Sequence, residues 1–158
     1  MTDTRDAFWT RLEKINAGML GTGAEARLVP MSHYASQSER ALWFITAHGT
    51  DLVTAVSDSA QPATYVVASG NDGLYAHLTG TLSLSTDAAK LDEIWNVVAS
   101  SWFEGGKRDP DLRLLKFALS AGDIWVTDTS SLAFLYKIAK SKVTHEKPYM
   151  GDYATLAF

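Results

Sequence analysis

One stretch near the middle of the chain constrains the fold more than any other. Leu74, Ala76, Leu78, Gly80, Leu82 and Leu84 alternate with Tyr75, His77, Thr79, Thr81 and Ser83. A period of two puts the first set on one side of an extended strand and the second on the other, whereas a helix would scatter both around its axis. The preceding Gly70-Asn71-Asp72-Gly73 supplies residues that tolerate positive φ, as a tight hairpin turn requires. Before the turn, 64–69 carries Tyr65, Val66 and Val67, which suit a pleated, half-buried surface. The centre of the chain is therefore expected to be an antiparallel hairpin.

The flanks add elements of both kinds. Phe8, Leu12, Ile15 and Met19 recur at helical spacing with Arg11, Glu13 and Lys14 between them, so an amphipathic helix is expected, capped by Asp3 or Thr4 and ended by Gly18 and Gly21. Strands are expected at 26–34 and 41–46. A second helix follows the hairpin, with Leu91, Ile94, Trp95 and Val98 on one face and Ser85 or Thr86 as its cap. A loop with Gly105, Gly106 and Pro110 ends it. Segments 112–119 and 124–127 read as a final strand pair around Ala121-Gly122-Asp123, and 130–140 as a third helix. The tail from Val143 to Phe158 has no firm periodicity. About six antiparallel strands with helices at their flanks suggest a small barrel, because hairpin spacing leaves no crossover helices for a doubly wound parallel sheet. No linker or repeat divides the 158 residues, so one domain is expected.

Charge and composition remove several functions. The net charge is −4, and no basic face is evident to neutralise a nucleic-acid backbone, so nucleic acid is not expected as a partner. The chain has no Cys, which excludes disulfides, thiolate metal sites and cysteine nucleophiles. The N-terminus is studded with charges and no run is apolar enough to span a bilayer, so a cytoplasmic protein without membrane contact is expected. His33, His48, His77 and His145 are scattered, none at metal-ligand spacing. Gly21-Thr22-Gly23 lacks the third Gly of a dinucleotide fingerprint, and Gly105-Gly106-Lys107 lacks the rest of a phosphate loop. No nucleophile elbow is present.

The order of landmarks carries more information than any single motif. Phe8-Trp9, Leu12 and Met19-Leu20 are followed by Arg27-Leu28-Val29-Pro30-Met31-Ser32, Leu42-Trp43-Phe44-Ile45-Thr46 and Tyr65-Val66-Val67-Ala68-Ser69-Gly70. Then come Leu91-Asp92-Glu93-Ile94-Trp95, the block Trp102-Phe103-Glu104-Gly105-Gly106-Lys107-Arg108-Asp109-Pro110-Asp111, and Ile124-Trp125. In this order and spacing the chain resembles, over nearly its whole length, the general stress proteins of the pyridoxamine 5'-phosphate oxidase-like superfamily. The resemblance implies a mainly β fold, a Greek-key antiparallel split β-barrel of about six strands with flanking α-helices. It also implies a homodimer that holds flavin mononucleotide (FMN) in a groove between its subunits.

The resemblance further implies roles for particular residues. Arg27 occupies the slot of a phosphate-binding Arg. The backbone of Leu28, Val29, Pro30 and Met31 would border the flavin ring, and the strand Phe44-Ile45-Thr46 would end in a Thr that donates to it. Thr50, Asp51 and Leu52 stand where a second phosphate clamp follows, and Trp102 and Trp125 are ring residues in segments that otherwise look exposed. Two departures stand out: Leu52 replaces a Lys, and Asp51 adds a negative charge. A charge-assisted hydrogen bond contributes roughly 1.5–3 kcal/mol, so its loss is expected to weaken flavin binding by about one to two orders of magnitude. Leu52→Lys is correspondingly expected to tighten it. Val29 also replaces an Arg common in the stress-protein branch.

The function expected from this resemblance is a flavin-binding general stress protein, with weak flavin-dependent oxidoreductase activity as its enzymatic form. The alternatives are a non-catalytic protein that binds flavin or another planar ligand, and a cofactor-free dimeric scaffold. No side-chain acid–base pair presents itself as catalytic. Oxidation of pyridoxamine phosphate is not expected, since Lys140, Lys142 and Lys147 form no recognisable second phosphate site.

Overall fold

The computed structural model describes residues 3–23, 27–127, 131–145 and 151–158. In chain order the elements are α1 (Thr4–Leu12), β1 (Gly18–Thr22), β2 (Val29–Met31), β3 (Tyr34–Ser36), β4 (Ala41–Ala47) and α2 (Asp51–Ala55). They continue with β5 (Gln61–Ser69), β6 (Leu74–Ser85), α3 (Ala88–Ile94), α4 (Val97–Trp102), a 3₁₀ turn (Gly106–Arg108), β7 (Leu112–Thr127), α5 (Ser131–Thr144) and β8 (Gly151–Ala157).

The expected hairpin is the centre of the sheet. β5 and β6 pair antiparallel from Ser69↔Leu74 to Gln61↔Leu82. Leu74, Ala76, Leu78 and Leu82 of β6 are buried, while Tyr75, His77 and Thr81 are exposed, as the alternation requires. All pairings are antiparallel, in the order β2-β1-β5-β6-β7-β4-β3, with β8 added to β7. The run β4-β7-β6-β5 has Greek-key order. The chain thus forms the antiparallel split barrel with helical flanks, with eight strands among the described residues rather than about six.

One expected turn is strand instead. Ala121-Gly122-Asp123 does not reverse the chain, because all three are ladder residues of one continuous strand, β7. Its first half pairs with β4 from Leu112↔Ala47 to Ala118↔Ala41, and its second half with β8 from Ala121↔Ala157 to Thr127↔Gly151. Between the halves the β6–β7 register shifts at Thr79/Gly80, a bulge that lets one strand serve two partners. Gly122 is small for packing: a Cβ there would lie 2.7 Å from Leu78 Cδ2.

The helices also differ from expectation. α1 is capped by the Asp3 carboxylate, which accepts from the Arg5 amide, but it stops at Leu12, and Met19 belongs to β1. Phe8, Trp9 and Leu12 enter the core, and the Phe8 and Trp9 rings meet the Phe158 ring at 5.5 and 5.9 Å. Arg11 donates to the Gly73 and Thr127 carbonyls at 2.7 and 2.6 Å, tying α1 to the ends of β6 and β7. The expected second helix is two. Asp87, not Ser85 or Thr86, caps α3, and Asn96 caps α4 after a break at Trp95. Val98 is exposed, so the proposed apolar face does not run on. Lys90 fixes α3 to the sheet: its ammonium reaches Glu39 at 2.8 Å and Glu93 at 2.7 Å and lies 5.4 Å from the Trp43 ring centre. A hydrogen bond from Lys90 holds the Glu39 carboxyl well down, at a pKa of about 2.

Candidate functional site

The short strand β2 and the end of β4 border a cleft of about 510 Å³. Its walls are Thr22 of β1, then Arg27, Val29, Pro30 and Met31, Thr46 of β4, Gly49, Thr50, and Asp51 and Leu52 at the start of α2. A second cleft of about 420 Å³ shares Pro30, Met31 and Thr46 with the first and is more apolar in character, with Tyr34, Ile45, Val98, Ala99, Trp102 and Phe103 among its walls. The two together have the size and mixed lining of a small-molecule site.

Most of the residues expected at a ligand site meet here. Arg27, Val29, Pro30, Met31, Thr46, Thr50, Asp51 and Leu52 line the first cleft, and Ile45 and Trp102 line the second. Trp102 is 79% exposed, so its ring is available at the rim. Three residues stand elsewhere. Leu28 is not a wall of either cleft. Phe44 is fully buried in the core, its ring 5.2 Å from that of Tyr65, so this side chain supports the strand and does not reach the cleft. Trp125 lies on β7, against Tyr153 at 5.1 Å, 42% exposed and apart from both clefts of its own subunit.

Charge is sparse. Among the described wall residues of the first cleft, Arg27 is the one cation and Asp51 the one anion, and they face each other at 3.6 Å with side chains 80% and 90% exposed. The Thr50 hydroxyl is committed to its own backbone: it donates to the Ala47 carbonyl at 3.1 Å and accepts from the Val53 amide at 3.4 Å, capping α2. Leu52 is 5% exposed and belongs to the core cluster while its edge forms wall. A lysine at that position would have to thread its stem out of the core, so Leu52→Lys would lose packing along with any gain in charge.

Residues with no pattern of their own in the sequence support the Pro-Met strand from behind. The Tyr65 hydroxyl lies within hydrogen-bond distance of both His33 Nδ1 (2.6 Å) and the Met31 carbonyl (2.9 Å), with a single proton between them, while His33 Nε2 donates to the Leu12 carbonyl at 3.0 Å. One buried imidazole thus joins α1, β5 and the turn after β2. The available signal was a His two residues after Met31, next to the strand it braces. Burial lowers the His33 pKa below 6.5, against the pull of carbonyls at Leu12 and Ile15, and raises that of Tyr65, which stays protonated.

The native state keeps His33 neutral where the unfolded chain takes up a proton. Its contribution to stability is complete above the ordinary value of 6.5 and is lost as pH falls from there through the lowered native pKa. Urea midpoints should therefore drop on acidification below 6.5, and the His33 ring protons should titrate below that value in NMR. Titration of His33 at or above 6.5 would contradict the buried bridge.

An antiparallel split barrel with a cleft beside its Pro-Met strand defines the structural class. Residues 3–149 match the family described as pyridoxamine 5'-phosphate oxidase like, and the chain belongs to that family. Among solved structures, a Jannaschia sp. CCS1 chain assigned as general stress protein 26 is 49% identical, with 100% of both chains covered and a TM-score of 0.94. A Xanthomonas campestris chain assigned to a general stress family is 30% identical over 82% of this chain and 93% of its own, with a TM-score of 0.71. The general stress FMN/FAD binding protein of Xanthomonas citri is 28% identical over 80% of this chain and 91% of its own, with a TM-score of 0.72. No curated protein matches the sequence. Among the described residues no helix is long and apolar enough to cross a membrane.

Proposed function

We propose that this chain is a flavin-binding general stress protein that takes FMN along the joined clefts. The observation that carries this reading is the continuity of a cleft ending in Arg27 with an apolar cleft ending in Trp102, joined at Pro30, Met31 and Thr46. A flavin nucleotide has matching parts: an anionic end that calls for a guanidinium, and a flat ring that calls for an apolar wall with a few polar groups. Arg27 would hold the phosphate, Thr46 would meet the ring's polar edge, and Met31, braced by Tyr65, would form its wall. The Xanthomonas citri relative, an FMN/FAD binding protein, supports the choice of ligand.

A homodimer completes the proposal. Trp125 shares an exposed sheet surface with Tyr75 and Tyr153, its cross-strand neighbours, so a second copy resting there would bring the Trp125 ring towards a cleft that its own subunit keeps apart from it. Bound flavin would supply hydride and electron transfer, and the protein would orient it and limit solvent. The described walls offer no paired acid and base, which favours weak oxidoreductase activity or simple binding over a dedicated substrate reaction.

Titration of purified protein with FMN, followed by quenching of flavin fluorescence, tests the reading alongside native mass. One flavin per chain in a dimer is expected. A monomer that leaves FMN fluorescence unchanged at millimolar protein would sink it. Reduction of the bound flavin by a nicotinamide donor separates enzyme from carrier.

A further inference from the structure

We infer that Asp51 cancels the charge of the cleft's anion-binding end, so that the protein selects its flavin by the ring and hardly by the phosphate. This inference rests on the flavin reading above. At that end Arg27 supplies the described cation and Asp51 a carboxylate 3.6 Å from it, which leaves a local charge near zero before any ligand arrives. The neighbouring side chains do not make up the difference. The Thr50 hydroxyl is engaged with Ala47 and Val53, and Leu52 brings only hydrocarbon to the wall.

A phosphomonoester is close to a dianion at neutral pH. To bind it, the Arg27 guanidinium must exchange Asp51 for phosphate. The exchange itself is easy, because an ion pair between such exposed side chains is weak. Asp51 stays near. Its backbone is fixed at the start of α2, directly after the capping residue Thr50, and its side chain lines the same cleft, so even turned towards solvent its carboxylate stays close to the incoming dianion. Attraction to Arg27 is thus offset by repulsion from Asp51. Riboflavin, which has the same ring and no phosphate, avoids both. Asp51 is accordingly a specificity-determining residue: it sets how much the anionic end contributes to choosing a ligand.

The test compares riboflavin and FMN on the full-length protein and on Asp51→Asn, by quenching of flavin fluorescence at low ionic strength. The wild type should prefer FMN by less than about tenfold, and Asp51→Asn should raise that preference by at least about fivefold through tighter FMN binding, with riboflavin affinity little changed. The gain should shrink in high salt, as for any solvent-exposed charge. A wild-type preference for FMN of about tenfold or more, or a preference unmoved by Asp51→Asn, overturns the inference and leaves the flavin reading standing. If neither flavin binds the wild type, the flavin reading falls and the inference falls with it.

Discussion

Gly80→Ala is expected to destabilise the protein by about 3 kcal/mol, the upper end of what overpacking a tight site does. Gly80 sits at the register shift where β7 passes from one partner to the other. A Cβ added there would run into the Ala118 carbonyl oxygen, and would lie 3.0 Å from its carbon and 3.2 Å from Leu119 Cα. These are backbone atoms held by the ladders to β4 and β6, so no side chain can rotate out of the way. At a typical slope for a chain of this size, the urea midpoint should fall by about 1.5 M. Gly70→Ala is the control. Its Cβ would meet only the Tyr75 hydroxyl, at 3.3 Å on the end of an exposed side chain, and the midpoint should move by less than about 0.5 M. Equal midpoints for wild type and Gly80→Ala would mean that β6 and β7 do not cross as described.

The second large effect falls on binding. Arg27→Ala should weaken FMN binding by about thirtyfold, since it removes a charge-assisted contact and leaves Asp51 facing the phosphate alone. Riboflavin should be nearly indifferent to the change. Stability should be too, because the Arg27 side chain is 80% exposed and its ion pair is solvated. Thr50→Ala should behave in the opposite way: a smaller loss of FMN affinity, with about 1 kcal/mol of stability lost through the cap of α2. Unchanged FMN affinity in Arg27→Ala would take the guanidinium out of the site.

Much of this site was legible through the family resemblance. Arg27, the Pro30-Met31 strand, Thr46 and the segment Thr50 to Asp51 were expected together, and the fold gathers them around one cleft. Where the structure departs from these expectations, the causes are local. Phe44 is two residues from Thr46 on the same strand, yet it is sealed in the core while Thr46 reaches the rim. Leu52 reads as an empty lysine slot, but the residue is packed inward. His33 looks unremarkable among scattered histidines until Leu12 and Tyr65 close around it.

The same division runs through the fold. Alternation from Leu74 onward, with a turn able to take positive φ before it, was enough for the β5–β6 hairpin, because strand period and turn chemistry are properties of neighbouring residues. Ala121-Gly122-Asp123 shows the limit. Such residues suit a turn, and only the β-bulge at Gly80 and the arrival of β8 make them a ladder. β8 itself has no clean alternation, and it is extended because β7 offers it an edge. Periodicity along the chain therefore determined the antiparallel class, and the family resemblance in the order of its landmarks supplied the residues of the site. Partners distant in sequence decided how long β7 runs, which walls Met31 and Leu52 form, and that Arg27 meets Asp51, since long-range packing and pairing choose among conformations that local residues leave equally open.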